Sequence, residues 1–463
     1  MVAAELRPIG IDLLYPTPST QQLQEAFKGR SLRDLPSPAA VIDRAILEVN
    51  CYQMLENCQA LDISLRPHTK THKLQVGETT KDVKFVVSTI AEIEGLRETL
   101  LNKKLQGKQI NILYGLPLPP SACTRLASLA KELGPQTISV LIDHVDQLNE
   151  SERFLQLSGQ PLQVFLKIDT GYHRAGLDSN SQGFSNLLTY VSSLQKSGSV
   201  NLVGLYSHAG HSYGSNSNNE ALEFLLTELE ELKKAAHKAI TILNEAFFPK
   251  LTLSVGATPT ASSIKALLED VPSSRSDSVS KLQRLVSRIN QDFTLELHAG
   301  VYPILDMQQL ATQAMPLTTS DVALTILTEV NSLYPHRSPP EALIAAGSLA
   351  LGREPCKSYP GFGIVSDWGF PPSVTTQGKR KEMRSGWQVG RISQEHGILT
   401  RDPEAFELED GWPLDLEVGQ KVRIWPNHAC IAGAMFGFYL VVDSRLEGRE
   451  DEVIDVWVRW RGW

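Results

Sequence analysis

Residues 137–169 read TISVLIDHVDQLNESERFLQLSGQPLQVFLKID. A short apolar run rich in Val, Ile and Leu (137–143) leads into an amphipathic stretch (144–157), and a second apolar run follows at 162–169. Strand, helix-like pattern and strand in this order make a βαβ unit, the building block of a parallel sheet. The alternation continues on both sides. Further apolar runs are ISLRPHTK (63–70), VKFVVST (83–89), QINILYG (109–115), VNLVGLYSH (200–208), LTLSVGA (251–257) and FTLELHAG (293–300), with helix-like patterns at 91–104 and 220–247. The eight runs predict a (β/α)8 TIM-like barrel within residues 38–318. A doubly wound open sheet is the alternative, but no GxGxxG stands between a strand and a helix.

The texture changes beyond Thr319. Segments such as ALTILTEVNSLY, WQVGRISQEHGILT, QKVRIWPNHA and FGFYLVVDS read as β-strands joined by Gly- and Pro-rich loops, without a long amphipathic helix. Residues 319–463 are therefore expected to form a C-terminal β domain, with the early strand PAAVIDRAI (38–46) available to join it, and residues 1–37 to form an N-terminal extension. Two stretches, 271–285 and 374–386, read as solvent-exposed insertions.

Composition bounds the function. The 463 residues, 42% hydrophobic and 21% charged, suit a folded protein the size of a two-domain enzyme. A net charge of −8 gives no general attraction to nucleic acid or to an anionic membrane. No apolar run is long enough to span a bilayer, and the first residues carry acids and prolines in place of a secretory leader. Five cysteines without a CxxC pair are not a disulfide framework, so a reducing, cytoplasmic setting is expected.

Chemistry-bearing residues cluster where the predicted strands end, which is where barrel enzymes place their active sites. The densest cluster is RPHTKTHK (66–73). In an extended strand His68, Lys70 and His72 would share one face, and Thr69, Thr71 and Lys73 the other. A partly desolvated lysine crowded by basic groups has a lowered pKa and can act as an imine-forming amine. A solvated basic strand end is the plain alternative, and the HxxxH pair is a third, as zinc ligands. KIDTGYHRAG (167–176) follows the fifth run, and YSHAGHSYG (206–214), with its His208–His211 pair, follows the sixth. SVGATPT (254–260) offers small residues, hydroxyls and backbone N–H groups of the kind that cradle phosphate. ELHAGVY (296–302) ends the eighth run. In the β region, WPNHAC (425–430) places His428 and Cys430 two apart, so that on an extended segment both face one way and could hold a zinc ion with an open position. A buried histidine beside an inert cysteine is the alternative.

Taken together and in order, RPHTKTHK, KIDTGYHRAG, GLYSHAGHSYG, SVGATPT, ELHAGVY, SQEHG (393–397) and PNHAC resemble the fold-type III pyridoxal-phosphate enzymes, the group of alanine racemase, and most closely the eukaryotic-type D-serine dehydratases. The resemblance covers about residues 35–440. It implies that Lys70 carries pyridoxal 5'-phosphate covalently and removes the α-proton of a D-amino acid. Tyr206 and Tyr213 would stand around the cofactor. Gly256, Ala257 and Thr258 would hold its phosphate, with Ala257 in place of a serine and its backbone N–H left to serve. His428 and Cys430 would hold Zn2+ as a Lewis acid for the leaving hydroxyl. The implied reaction is β-elimination of D-serine to pyruvate and ammonia, in a homodimer whose β domain completes the partner's site. D-threonine aldolases resemble the chain too, but their corresponding stretch reads His-Cys-Asp where this chain has His-Ala-Cys. A non-catalytic pyridoxal-phosphate carrier would lack the β domain. A zinc hydrolase built on His68, His72, His208 and His211 is the reading left if the resemblance misleads.

Overall fold

A computed structural model of the chain describes residues 16–73, 82–243, 250–268, 277–370, 384–402 and 414–463. It divides into two units, one built mainly from Met54–Gly300 and one from Thr17–Gln53 with Val301–Arg459.

The first strand, β1 (Ala39–Asp43), belongs to the second unit. The first unit holds β2 (Ser64–Pro67), β3 (Asp82–Val87), β4 (Gln109–Pro117), β5 (Ile138–Ile142), β6 (Leu162–Lys167), β7 (Val200–Tyr206), β8 (Thr252–Val255) and β9 (Thr294–Ala299). Each corresponds to one of the eight apolar runs. They pair in parallel in the order β2-β9-β8-β7-β6-β5-β4-β3, and a parallel bridge between His68 and Val86 joins the two ends into a barrel. Because these strands are covered on both faces, they need continuous apolar runs, and β5 and β6 are buried at every position.

Helices alternate with the strands. Ile90–Leu105 starts at Thr89, whose hydroxyl accepts the Glu92 N–H, and Gln182–Ser197 starts at Ser181 in the same way. Asn218–Leu243 is the longest and buries Leu222, Leu225, Leu229 and Leu232. Three expectations are corrected, the third over its described residues alone. The stretch 144–157 is not one helix but a 3-10 turn, Val145–Leu148, followed by Ser151–Ser158; Gln147 folds back to cap the first turn at His144. The 271–285 stretch is not an exposed insertion throughout. Residues 271–276 lie outside those described, but Asp277–Asp292 is a helix that buries Val279 and Leu282 at amphipathic spacing. In 374–386, residues 374–383 lie outside the described set, while 384–386 open a strand with Ser385 fully buried.

The second unit is antiparallel apart from one pairing. Its strands are β1 with β10 (Leu324–Tyr334), β11 (Glu341–Ile344), β12 (Gly363–Ser366), β13 (Arg384–Ile392), β14 (Gly397–Arg401), β15 (Lys421–Pro426), β16 (Phe438–Val442) and β17 (Asp455–Val458). The sheet runs β11-β14-β13-β12-β15-β10-β1-β16-β17. The far end of β10 also pairs with β11, which closes six strands into a ring. Strand β1 lies between β10 and β16, antiparallel to the first and parallel to the second. The segment after Gly300 also packs in this unit, where Leu305, Met307 and Ala311 meet Val322, Tyr359 and Trp425.

Candidate active site

The barrel's candidate residues sit at the C-terminal ends of its strands. After β2 the chain does not stay extended. It turns at 69–72, with the Lys73 N–H bonded to the Thr69 carbonyl and Lys73 in the left-handed region at φ 55°. The expected alternation of faces therefore stops at His68. Glu92 organises this turn: its buried carboxylate accepts the Thr69 hydroxyl at 2.6 Å and the Ser88 N–H at 3.1 Å, and pairs with the Lys73 ammonium. Glu92 was not among the sequence-based candidates, although Thr89-Ile90-Ala91-Glu92 is the spacing of a helix capping box. Among the described residues the half-buried Lys70 amine makes no hydrogen bond or ion pair.

Around Lys70 the barrel is lined by neutral histidines. The Lys70 N–H donates to His68 Nδ1 at 3.3 Å. His208 Nδ1 donates to the Gly256 carbonyl at 2.8 Å. His298 lies against the Tyr206 ring, centroids 4.1 Å apart and planes within 7°, with Nδ1 3.0 Å from the Ser254 hydroxyl. Burial, joined by neighbouring cations that include Lys70, holds all three imidazoles well below their ordinary pKa. His298 Nε2 is buried and has no partner among the described residues. Lys167, at the end of β6, lies 5.3 Å from the Tyr206 ring centre; burial brings its pKa down to about 8.

Deeper in the barrel, Arg66 and Glu296 form a two-pronged ion pair with Nε–Oε1 2.5 Å and Nη2–Oε2 3.1 Å. Lys84 joins at 3.3 Å. Glu228, on the helix after β7, is fully buried, and burial raises its pKa to about 7. It faces the Ser207 hydroxyl and the N–H groups of Ala209 and Gly256, none in full hydrogen-bond geometry. Neither Glu228 nor Glu296 was a sequence-based candidate.

The SVGATPT stretch turns at Gly256, which has φ 130° and lies so close to the chain that an added Cβ would come 2.5 Å from the His298 carbonyl. The short helix Thr258–Ser263 follows, all of it buried. The Ala257 N–H, expected to be left for phosphate, donates instead to Thr260 Oγ1 at 2.9 Å. The structure thus places Lys70, Tyr206 and Gly256–Thr258 at the ends of β2, β7 and β8, with half-buried Tyr213 on the 3-10 turn Gly210–Gly214 after β7. A separate cavity of about 370 Å³ opens at the other end of the barrel, lined by Asp82, Gln109, Thr137 and Gln163 at the strand starts. Barrel chemistry belongs to the opposite end, so this cavity is not the candidate site.

His428 and Cys430 belong to the β unit, directly after β15. The segment is not extended as expected: His428 caps a short helix, Ala429–Ala434, and Cys430 lies in its first turn. The two side chains nevertheless lie close enough for Cys430 to act on the His428 imidazole, whose buried Nδ1 has no full hydrogen bond among the described residues. Burial lowers the His428 pKa, but Cys430, Asp306 and Glu354 outweigh it and bring the value up to about 9. Among the described residues no three His, Cys, Asp or Glu side chains are grouped to hold a metal ion, so His68, His72, His208 and His211 do not form one centre.

Two family models match the chain: "Alanine racemase, N-terminal domain" over residues 42–266 and "Putative serine dehydratase domain" over residues 323–442. The D-serine dehydratase of Schizosaccharomyces pombe is 36% identical over 456 residues, covering 96% of each chain. Among solved structures, a metal-free cysteine-to-alanine mutant of D-threo-3-hydroxyaspartate dehydratase matches with TM-score 0.69 and 26% identity, covering 94% of this chain and 100% of that one. A histidine-to-alanine mutant of the same enzyme matches with TM-score 0.70 and 26% identity, covering 96% and 99%. With both domain models matched and a near full-length relative above 30% identity, this chain belongs to the D-serine dehydratase family.

Proposed function

We propose that the chain is a D-serine ammonia-lyase that converts D-serine to pyruvate and ammonia, with pyridoxal phosphate on Lys70 and a zinc ion at His428 and Cys430. The observation that carries this reading is the 36% identity to a D-serine dehydratase over nearly the whole length of both chains.

The residues present fit the cofactor. Lys70 offers an amine without a partner among the described residues, and His298 Nε2 is a buried polar atom lacking one. Gly256 keeps its turn free of a side chain, and a hydroxyl rotation at Thr260 would release the Ala257 N–H toward a phosphate. The metal reading rests on the donor set. Nitrogen and sulfur donors two residues apart suit zinc, with the remaining positions open to water and substrate. The histidine and cysteine altered in the two dehydratase mutants are likewise two residues apart.

When bound, pyridoxal phosphate supplies an electron sink for the substrate α-carbon, and zinc a Lewis acid for the departing hydroxyl. The chain's part is to position and move protons. The Lys70 amine takes the α-proton, and the turn fixed by Glu92 holds that residue in place. His68, His208 and His298, kept neutral by burial, add no positive charge beside it. Tyr206, backed by His298, gives a rigid wall. The five cysteines are all free, which supports a cytoplasmic setting, and we infer a homodimer from the pairing general to fold-type III enzymes.

The test is the visible absorbance of the purified protein, followed by D-serine with and without prior chelation. Visible absorbance that is lost in Lys70→Ala, with chelator-sensitive pyruvate release, is the expected result. Glycine plus an aldehyde from D-threonine, without pyruvate from D-serine, would replace the reading with an aldolase. Faster turnover of D-threo-3-hydroxyaspartate than of D-serine would shift the substrate.

A further inference from the structure

The His428 backbone is gripped from both sides by one short segment. On one side the Gln308 N–H donates to the Asn427 carbonyl at 3.0 Å. On the other the Ala429 N–H donates to Asp306 Oδ2 at 2.8 Å. The second carboxylate oxygen of Asp306 accepts the Gln309 N–H at 2.9 Å and so caps its own helix, Met307–Ala311. Asp306 is 1% exposed. Asn427 is held as firmly: its amide donates to the Glu354 and Gly361 carbonyls at 2.9 and 2.8 Å, and its side-chain oxygen accepts the Tyr359 hydroxyl.

Among the described residues no cation is in contact with this carboxylate, so its burial needs a reason, since burying a charge is costly unless it is paired and hydrogen-bonded. Two backbone N–H groups provide part of that compensation. The rest lies in what the Ala429 bond does. It fixes the residue between the two proposed ligands and sets the first turn that carries Cys430.

We propose that Asp306 is the positioning residue of the metal site: through the Ala429 N–H it holds His428 and Cys430 in register for a divalent cation, which it does not itself touch. This rests on the metal reading above. Partners of this kind orient metal ligands, and losing one typically costs about 10- to 100-fold in metal affinity.

The experiment measures zinc affinity of the full-length, pyridoxal-phosphate-loaded protein by competition with a chromophoric chelator. Asp306→Ala is expected to weaken zinc binding by about 10- to 100-fold while visible absorbance from the cofactor stays as in the wild type. Asp306→Asn keeps the shape and one carbonyl acceptor, which safeguards folding, and is expected to lose about tenfold because it cannot accept both N–H groups. Cys430→Ala sets the floor. Val322→Ala, which thins the apolar cluster around Leu305 and Met307 and leaves every polar group at 306 and 427–430 in place, separates positioning from general loosening. It should lower the melting temperature and leave zinc affinity within about threefold of wild type, well short of a lost ligand partner. Wild-type affinity in both Asp306 variants, or an equal loss in Val322→Ala, overturns the inference. A wild-type protein that takes up no zinc overturns the metal reading beneath it, and the inference with it.

Discussion

Glu296 is the acid on which the inside of the barrel depends, and its removal gives a quantitative test. Glu296→Gln keeps the volume of the side chain but removes the charge that Arg66 and Lys84 share. Arg66 is 2% exposed and spends its remaining N–H groups on the Phe85 carbonyl and on Asn111, so it cannot turn to solvent. Breaking a buried pair from one side leaves an uncompensated charge and costs about 3–5 kcal/mol. With 1.36 kcal/mol to a factor of ten, hydrogen-exchange protection of the β2 and β9 amides should fall by roughly two to four decades. Exchange is the right assay, because a chain with two units need not unfold in one step. The double variant Arg66→Met with Glu296→Leu should recover much of the loss, since apolar residues of similar volume often replace a buried pair at little cost. The contribution also depends on pH. Burial alone would raise the Glu296 pKa, but Arg66 and Lys84 outweigh it and hold it below the ordinary 4.5. Its stabilisation is therefore present above that value and is lost as pH falls through the folded pKa. A loss of less than one decade at neutral pH would refute the reasoning, because it would mean that water or another anion compensates Arg66.

Gly256→Ala places a Cβ against the His298 carbonyl at a backbone angle that disfavours side chains. A cost of about 1–3 kcal/mol and a loss of visible cofactor absorbance are expected, read by melting and by spectrum; a variant that retains both properties would mean the turn is not the phosphate cradle. Asp443, between Arg44 and Arg445, has a carboxyl held well below its ordinary 3.8, chiefly by hydrogen bonds from Arg445. Asp443→Asn should destabilise the β unit at neutral pH, with the gap from wild type closing as pH falls through and below 3.8; a gap that stays constant down to strong acid would remove the ion pairs as its cause.

The barrel was legible because each of its strands is covered on both faces and so has to be a continuous apolar run, separated from the next by a helix. Helix limits were less legible. The Gln147 side chain caps the turn at His144 and splits what reads as one amphipathic stretch. The serine-rich start of 271–285 concealed a helix whose apolar positions, Val279 and Leu282, are three apart. Lys70 and the His428–Cys430 pair stand out as candidates because their reading is local: residue type and immediate neighbours are enough to propose a role.

The buried acids that hold the surrounding structure cannot be found that way. Asp306 meets a backbone N–H 123 residues further along, and Glu296 meets an arginine 230 residues before it. In sequence each is one carboxylate among 52 acidic residues, most of which belong in water. Glu92 is the instructive exception, since its T-x-x-E spacing announces the capping role, though not the two further bonds to Thr69 and Lys73. A buried carboxylate gains its function from the distant donors that the fold delivers to it, and in each unit one such acid fixes the backbone that bears the proposed chemistry. The proposed chemistry of this chain is therefore read from short motifs and its geometry from long-range polar contacts, and substitution of Glu92 or Asp306 should impair the site while every motif residue remains in place.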